Sequence, residues 1–130
     1  PNVGRLETAT ADALESYKGN VALMSFNPHS VAKLAEVAPN LPRGIVTCAY
    51  DAEDWPTLPK ARREELVDIP DFARVGACFI SHDRTDLERS RVAEIKAAGH
   101  PILCWTVRSE EDEVTARKVA DNITFEGYLA

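Results

Sequence analysis

Ile102-Leu103-Cys104-Trp105-Thr106-Val107 is a six-residue run in which only Thr106 carries a hydroxyl. A strand wetted on one face alternates apolar and polar residues. A strand covered on both faces, as in parallel sheets, reads as nearly continuous apolar sequence. Four further runs, rich in branched and aromatic residues, share this character: Val21–Phe26, Gly44–Ala49, Ala77–Ser81 and Ile123–Glu126. Successive runs start 23, 33, 25 and 21 residues apart, the length of a strand, a loop and a returning helix.

The segments between the runs carry helix signals. Asn27-Pro28 supplies an N-cap acceptor followed by a proline at the first helical position, and Val31, Leu34, Ala35 and Ala38 then share one face. Thr85-Asp86-Leu87-Glu88 has the spacing of a capping box, and Gly99 ends that helix before Pro101. Ser109 caps a further helix with Glu110, Glu111 and Asp112 in its first turn, where carboxylates meet the positive end of the helix dipole. Leu6 to Tyr17 reads as a leading helix that leaves through Gly19-Asn20. The order is therefore five repeats of helix then strand. The longest interval holds an extra loop, Tyr50 to Pro59.

Two architectures fit this order. One is a complete five-stranded doubly wound sheet of flavodoxin type, which would make the chain a non-catalytic binding or interaction module. The other is the later part of a (β/α) barrel, whose full length is about 250 residues. A chain that opens on a helix favours the barrel, as does the absence of clustered acidic residues after the first run. The opening Pro1-Asn2-Val3 lacks an initiating methionine, which suggests a processed chain or a fragment. The 130 residues are expected to form a single domain, the C-terminal part of such a barrel.

Charge and cysteine usage bound the function. Fifteen Lys and Arg against 21 Asp and Glu give a net charge of −6, with no basic stripe to follow a phosphate backbone, so no nucleic-acid partner is expected. The densest basic stretch, Lys60-Ala61-Arg62-Arg63, runs straight into Glu64-Glu65 and reads as a solvated helix face. No apolar run approaches the roughly 18 residues of a membrane span. Cys48, Cys78 and Cys104 are an odd set, each inside an apolar run, and read as small buried hydrophobes in a reducing, cytoplasmic compartment.

In α/β folds the loops at the carboxyl ends of the strands build the site. That end would carry Asn27, His29, Asp51, Glu53, His82, Asp83, Arg84, Arg108 and Glu126. His82 with Asp83 is the best local acid–base pair; the alternative is that Asp83 caps the loop while His82 lines the rim. His29 reads as a rim residue, and His100, at the opposite end of its strand, as structural. Asp51, Glu53 and Asp54 read as an exposed acidic loop, and no pattern of metal-ligand spacing occurs. Glu126 before Gly127 could meet a ligand hydroxyl or the next loop's N–H groups. Trp105 is either a flat wall of the mouth or a core residue.

Taken together, three runs resemble glycerophosphodiester phosphodiesterases of the (β/α)-barrel type. Val21-Ala22-Leu23-Met24-Ser25-Phe26 looks like that family's fourth strand with its Ser-Phe ending. Ile102 to Val107 looks like its seventh, a Trp-Thr-Val strand, and Asp121 to Tyr128 like its eighth. The resemblance runs from about Leu14 to the end of the chain. Arg108 and Phe125-Glu126 stand where the family often has Asn and Thr-Asp. The resemblance implies a parent enzyme that hydrolyses glycerophosphodiesters to an alcohol and glycerol 3-phosphate with a divalent cation, Mg or Ca. It implies substrate-binding roles for Phe26 and Trp105 as apolar walls toward the glycerol. Ser25, Glu126 and His82 complete the expected substrate-binding set.

The family's His-Arg-Gly strand, Glu-x-Asp pair, second histidine and Glu-x-Lys strand have no counterpart in these 130 residues. No catalytic residue and no metal ligand is therefore assigned, and the chain alone is expected to be inactive. A five-stranded piece of a barrel exposes two sheet edges, so a homo-oligomer, a dimer or a swapped assembly, is expected.

Overall fold

A computed structural model describes residues 2–130, with Pro1 outside the described residues. The elements follow the expected order: α1 (Arg5–Leu14), β1 (Leu23–Ser25), α2 (Pro28–Val37), β2 (Arg43–Thr47), α3 (Lys60–Val67), β3 (Phe79–Asp83), α4 (Ser90–Ala97), β4 (Ile102–Val107), α5 (Glu110–Ala116) and β5 (Asn122–Phe125). A short 3-10 turn, Arg84–Asp86, stands between β3 and α4.

All five strands are parallel, and they lie side by side in chain order, β1-β2-β3-β4-β5. This order decides between the two architectures. A doubly wound sheet reverses its strand order so that helices cover both faces, and no reversal occurs here. The helices instead pack on one face: Val31 of α2, Val92 and Ile95 of α4 and Ala116 of α5 join one core with Ile45, Ile80 and Ile102 of the strands. The flavodoxin-type alternative is thereby corrected to a partial (β/α) barrel.

Pairing puts Ile45, Ile80 and Ile102 in one row across β2, β3 and β4. Ile80 and Ile102 are wholly inaccessible, and burying each such side chain stabilises by roughly 1.5–3 kcal/mol. One residue along, Val46, Ser81 and Leu103 form the next row and face the opposite, inner side. α3 contributes no buried residue, as its charged sequence implies, and Ile69, Phe72, Val75 and Ala77 of the following loop fill the core in its place.

Most helix ends follow from local sequence. The Asn27 side chain accepts the His29 N–H at 3.0 Å, and Ser109 Oγ accepts the Asp112 N–H at 3.1 Å. Gly99, with φ +89°, turns the chain into β4. The Thr85–Glu88 capping box is corrected. Asp83 Oδ1 accepts both the Thr85 N–H at 2.8 Å and the Thr85 hydroxyl at 2.7 Å. Thr85 is therefore the capped residue, and α4 begins only at Ser90. Cys48 and Cys104 are buried as expected, but Cys78 is exposed because it lies one residue ahead of β3, at the sheet's amino-terminal rim.

Gly44 is paired with Phe79 on the inner side, and a Cβ placed on it would lie 2.3 Å from the Phe79 ring. The absence of a side chain lets the ring cover the strand. Gly44→Ala is therefore expected to destabilise the fold by about 1–3 kcal/mol, read as a lower urea midpoint with unchanged slope. An unchanged midpoint would show that the ring moves freely.

Candidate functional site

The carboxyl ends of the strands share one rim, and two of the expected substrate-binding residues meet there. Ile102 and Cys104 of β4 face the helix layer; Trp105, next along, therefore faces the inner side, where it pairs in register with Asp83. Its indole N–H donates to the carbonyls of Ser81 at 3.1 Å and Thr47 at 3.2 Å. A half-buried tryptophan with a satisfied N–H is a rigid apolar plate. Phe26, at the end of β1, meets it edge-on with ring centroids 5.2 Å apart. The Trp105 side chain is thus anchored in the sheet by its N–H and half-buried at the rim.

The sequence reading missed the continuation of this wall. Trp55 packs on Phe26 at 5.4 Å and Tyr50 packs on Trp55 at 5.2 Å. Both come from the loop read only as acidic. The available signal was two large aromatic rings among charged residues, which seldom stay in water. Asp51, Glu53 and Asp54 of that loop are exposed, as expected.

The other expected site residues lie apart from this wall. Ser25 pairs in register with Ile45, so its side chain shares the helix side, and its hydroxyl accepts the Asn27 N–H at 3.1 Å. It shapes the turn after β1. Glu126 sits on the far rim and accepts from Arg108 Nε at 2.6 Å. Both partners are exposed, and a pair of this kind contributes up to about 1 kcal/mol.

His82 requires a correction. It neither lines the rim nor pairs with Asp83: its side chain is fully buried on the helix side, two residues after Ile80 on the same face. Its Nε2 lies 3.0 Å from Asp86 Oδ2 and its Nδ1 2.7 Å from Thr47 Oγ1. A carboxylate only accepts, so Nε2 carries the proton and Nδ1 accepts from the threonine hydroxyl. Asp86 also takes Arg89 Nε at 2.5 Å. This network joins β2, β3 and the start of α4. Nearby, Arg84 donates to the Thr106 carbonyl and to Asp112, both at 3.0 Å, tying the turn after β3 to β4 and α5. His100, read as structural, meets Phe72 edge-on with ring centroids 4.8 Å apart at the opposite end of the sheet.

Among the described residues no group of three His, Cys, Asp or Glu side chains gathers to hold a metal ion. Asp83 and Glu126, at the carboxyl ends of β3 and β5, are engaged by Thr85 and Arg108. The rim can therefore bind and orient an apolar or mixed group.

Three comparisons bear on this geometry. No family model matches the chain, and no curated protein matches it. Among solved structures, an Oleispira antarctica phosphodiesterase in complex with the product sn-glycerol-3-phosphate is similar over 92% of this chain and 46% of its own, with a TM-score of 0.65 and 20% identity. A Silicibacter pomeroyi structure named for a glycerophosphoryl diester phosphodiesterase is similar over 92% of this chain and 41% of its own, with a TM-score of 0.64 and 20% identity. The chain has the fold of part of a (β/α) barrel. It spans less than half the length of these two structures. No helix among the described residues is long and apolar enough to cross a membrane.

Burial holds the His82 pKa below its ordinary 6.5, with the bonds to Asp86 acting the other way. The unfolded chain then takes up a proton near 6.5 that the folded chain refuses until lower pH. This contribution to stability is complete above 6.5 and is lost as pH falls below it, toward the depressed folded value. The urea midpoint is expected to drop between about pH 7.5 and about pH 5.5. In His82→Gln this component of the drop should vanish; an identical pH dependence in the variant would refute the assignment.

Proposed function

We propose that this chain, as one domain over residues 1–130, is the C-terminal part of a glycerophosphodiester phosphodiesterase barrel. The whole barrel would hydrolyse glycerophosphodiesters to an alcohol and glycerol 3-phosphate. The observation that carries the reading is the Phe26–Trp105 wall at the carboxyl end of the sheet. It is supported by the likeness to a phosphodiesterase in complex with sn-glycerol-3-phosphate and by the Ser25-Phe26 and Trp105-Thr106-Val107 strand endings that resemble the family's.

In this reading the chain binds and orients rather than performing the bond cleavage. The anchored Trp105 face and the Phe26 edge pack on the C–H surface of the glycerol and keep water from that side. Such positioning lowers the barrier by holding reacting groups in line before the chemistry begins. A divalent cation, Mg or Ca, would clamp the phosphodiester oxygens in the parent enzyme. The described residues here do not fit such an ion, because no ligand set converges. The family resemblance implies that the cation ligands and the general acid and base belong to strands one to three of the barrel.

Two expected outcomes test this. With metal supplied, the pure chain should release no glycerol 3-phosphate from glycerophosphocholine; measured release would overturn the division of labour. Glycerol 3-phosphate should nonetheless perturb the tryptophan emission, with roughly tenfold weaker binding in Trp105→Ala. No perturbation at any soluble concentration would count against the site.

The open edges at β1 and β5 favour pairing with another chain. Light scattering across micromolar concentrations should report a dimer or swapped oligomer, and a monomer throughout would contradict it. The free thiols suit a reducing compartment, and a cytoplasmic location follows in this proposal.

A further inference from the structure

A cavity of about 340 Å3 lies beside the mouth, between the start of α2, α3 and the loop that follows β2. Its walls are Phe26, Tyr50, Trp55, Leu58 and Leu66. No carboxylate lines it, although the chain carries 21 Asp and Glu. Two of its polar side chains are already engaged, and His29 also lines it. Arg62 is held by Glu65 at 2.6 Å and by Asp71 at 3.8 Å, and the Asn27 side chain caps α2 through the His29 N–H. What remains to meet a ligand is aromatic and aliphatic, together with the His29 imidazole.

Two features tie this cavity to the mouth. Phe26 serves both, with Trp105 on its inner side and Trp55 on its loop side. Tyr50 is 4% exposed and adopts φ +55°, a conformation that bulky residues rarely hold. That backbone turn seats the Tyr50 ring in the cavity wall, where packing on Trp55 offsets the strain. The volume is about twice that of a cavity of roughly 150 Å3 that accepts benzene.

We infer that this cavity is a subsite for an alkyl group on the leaving alcohol of the phosphodiester. The inference rests on the proposed phosphodiesterase reading for the source of that group. The glycerol end lies against Phe26 and Trp105, and the alkyl chain passes over Phe26 between Trp55, Leu58 and Leu66.

Calorimetric titration of the chain with two diesters of glycerol 3-phosphate, the n-octyl and the methyl ester, isolates the alkyl contribution. The octyl diester is expected to bind at least about tenfold more tightly, the effect of burying roughly two methylene groups, and with a more negative heat-capacity change. Leu58→Ser, in the loop, and Leu66→Ser, on α3, should each cut that preference severalfold with unchanged circular dichroism. Val114→Ser, on the exposed face of α5, should leave it intact. Equal binding of the two diesters would overturn the subsite, as would a full octyl preference in both folded leucine variants. Octyl glucoside separates this result from the parent reading. If it binds with the same leucine dependence while the methyl diester and glycerol 3-phosphate do not bind, the alkyl cavity stands and the phosphodiesterase reading fails.

Discussion

The row Ile45–Ile80–Ile102 constrains everything else in this structure. In a strand the side chains alternate faces, so committing these three to the helix layer commits every other position on β2, on β3 and on β4 as far as Trp105, beyond which a register shift returns Val107 to the core. Thr47, His82 and Cys104, two residues further on, must also face the helices. Val46, Ser81, Leu103 and Trp105 must face inward. The aromatic plate at the mouth and the exclusion of His82 from it thus have one cause, the parity of the strands.

Parity also explains why His82 needs partners. A histidine placed in an apolar layer must satisfy both ring nitrogens or forfeit its solvation. Thr47 and Asp86 supply the two bonds, and Arg89 balances the carboxylate. The arrangement has the connectivity of a hydroxyl, imidazole and carboxylate relay. Thr47 is 1% exposed, however, so no substrate reaches the hydroxyl. The network works as structure: it fastens the turn after β3 against β2, and Arg84 then fixes that turn to β4 and α5 at the rim. Adjacent in sequence, His82 and Asp83 point to opposite faces and cannot act together.

The inner face shows what a partial barrel leaves undone. Met24 and Phe26 remain 44% and 37% exposed there, and the Ser81 hydroxyl is buried without a hydrogen-bond partner. In a closed barrel the interior is filled by side chains from all strands. The structures of similar fold are more than twice as long as the part of them that this chain matches. In the proposed reading, the wall at the mouth is one side of a pocket.

The amino-acid sequence by itself determined the five strands, the helices between them and most helix ends, because each depends on local signals: apolar runs, Asn27-Pro28, Ser109 and Gly99. Through the family resemblance of their strand endings it also singled out Phe26 and Trp105, which meet in the fold. It misjudged Thr85, since Asp83 caps a separate 3-10 turn there and α4 starts at Ser90 without any side-chain cap. It could not foresee that Tyr50 and Trp55 extend the aromatic wall, because they reach Phe26 across a long loop. Only the tertiary structure decided the strand order, the side of the sheet that each residue faces and the burial of His82. These depend on which segments become neighbours in space, and periodicity along one strand does not specify the partner on which its register rests.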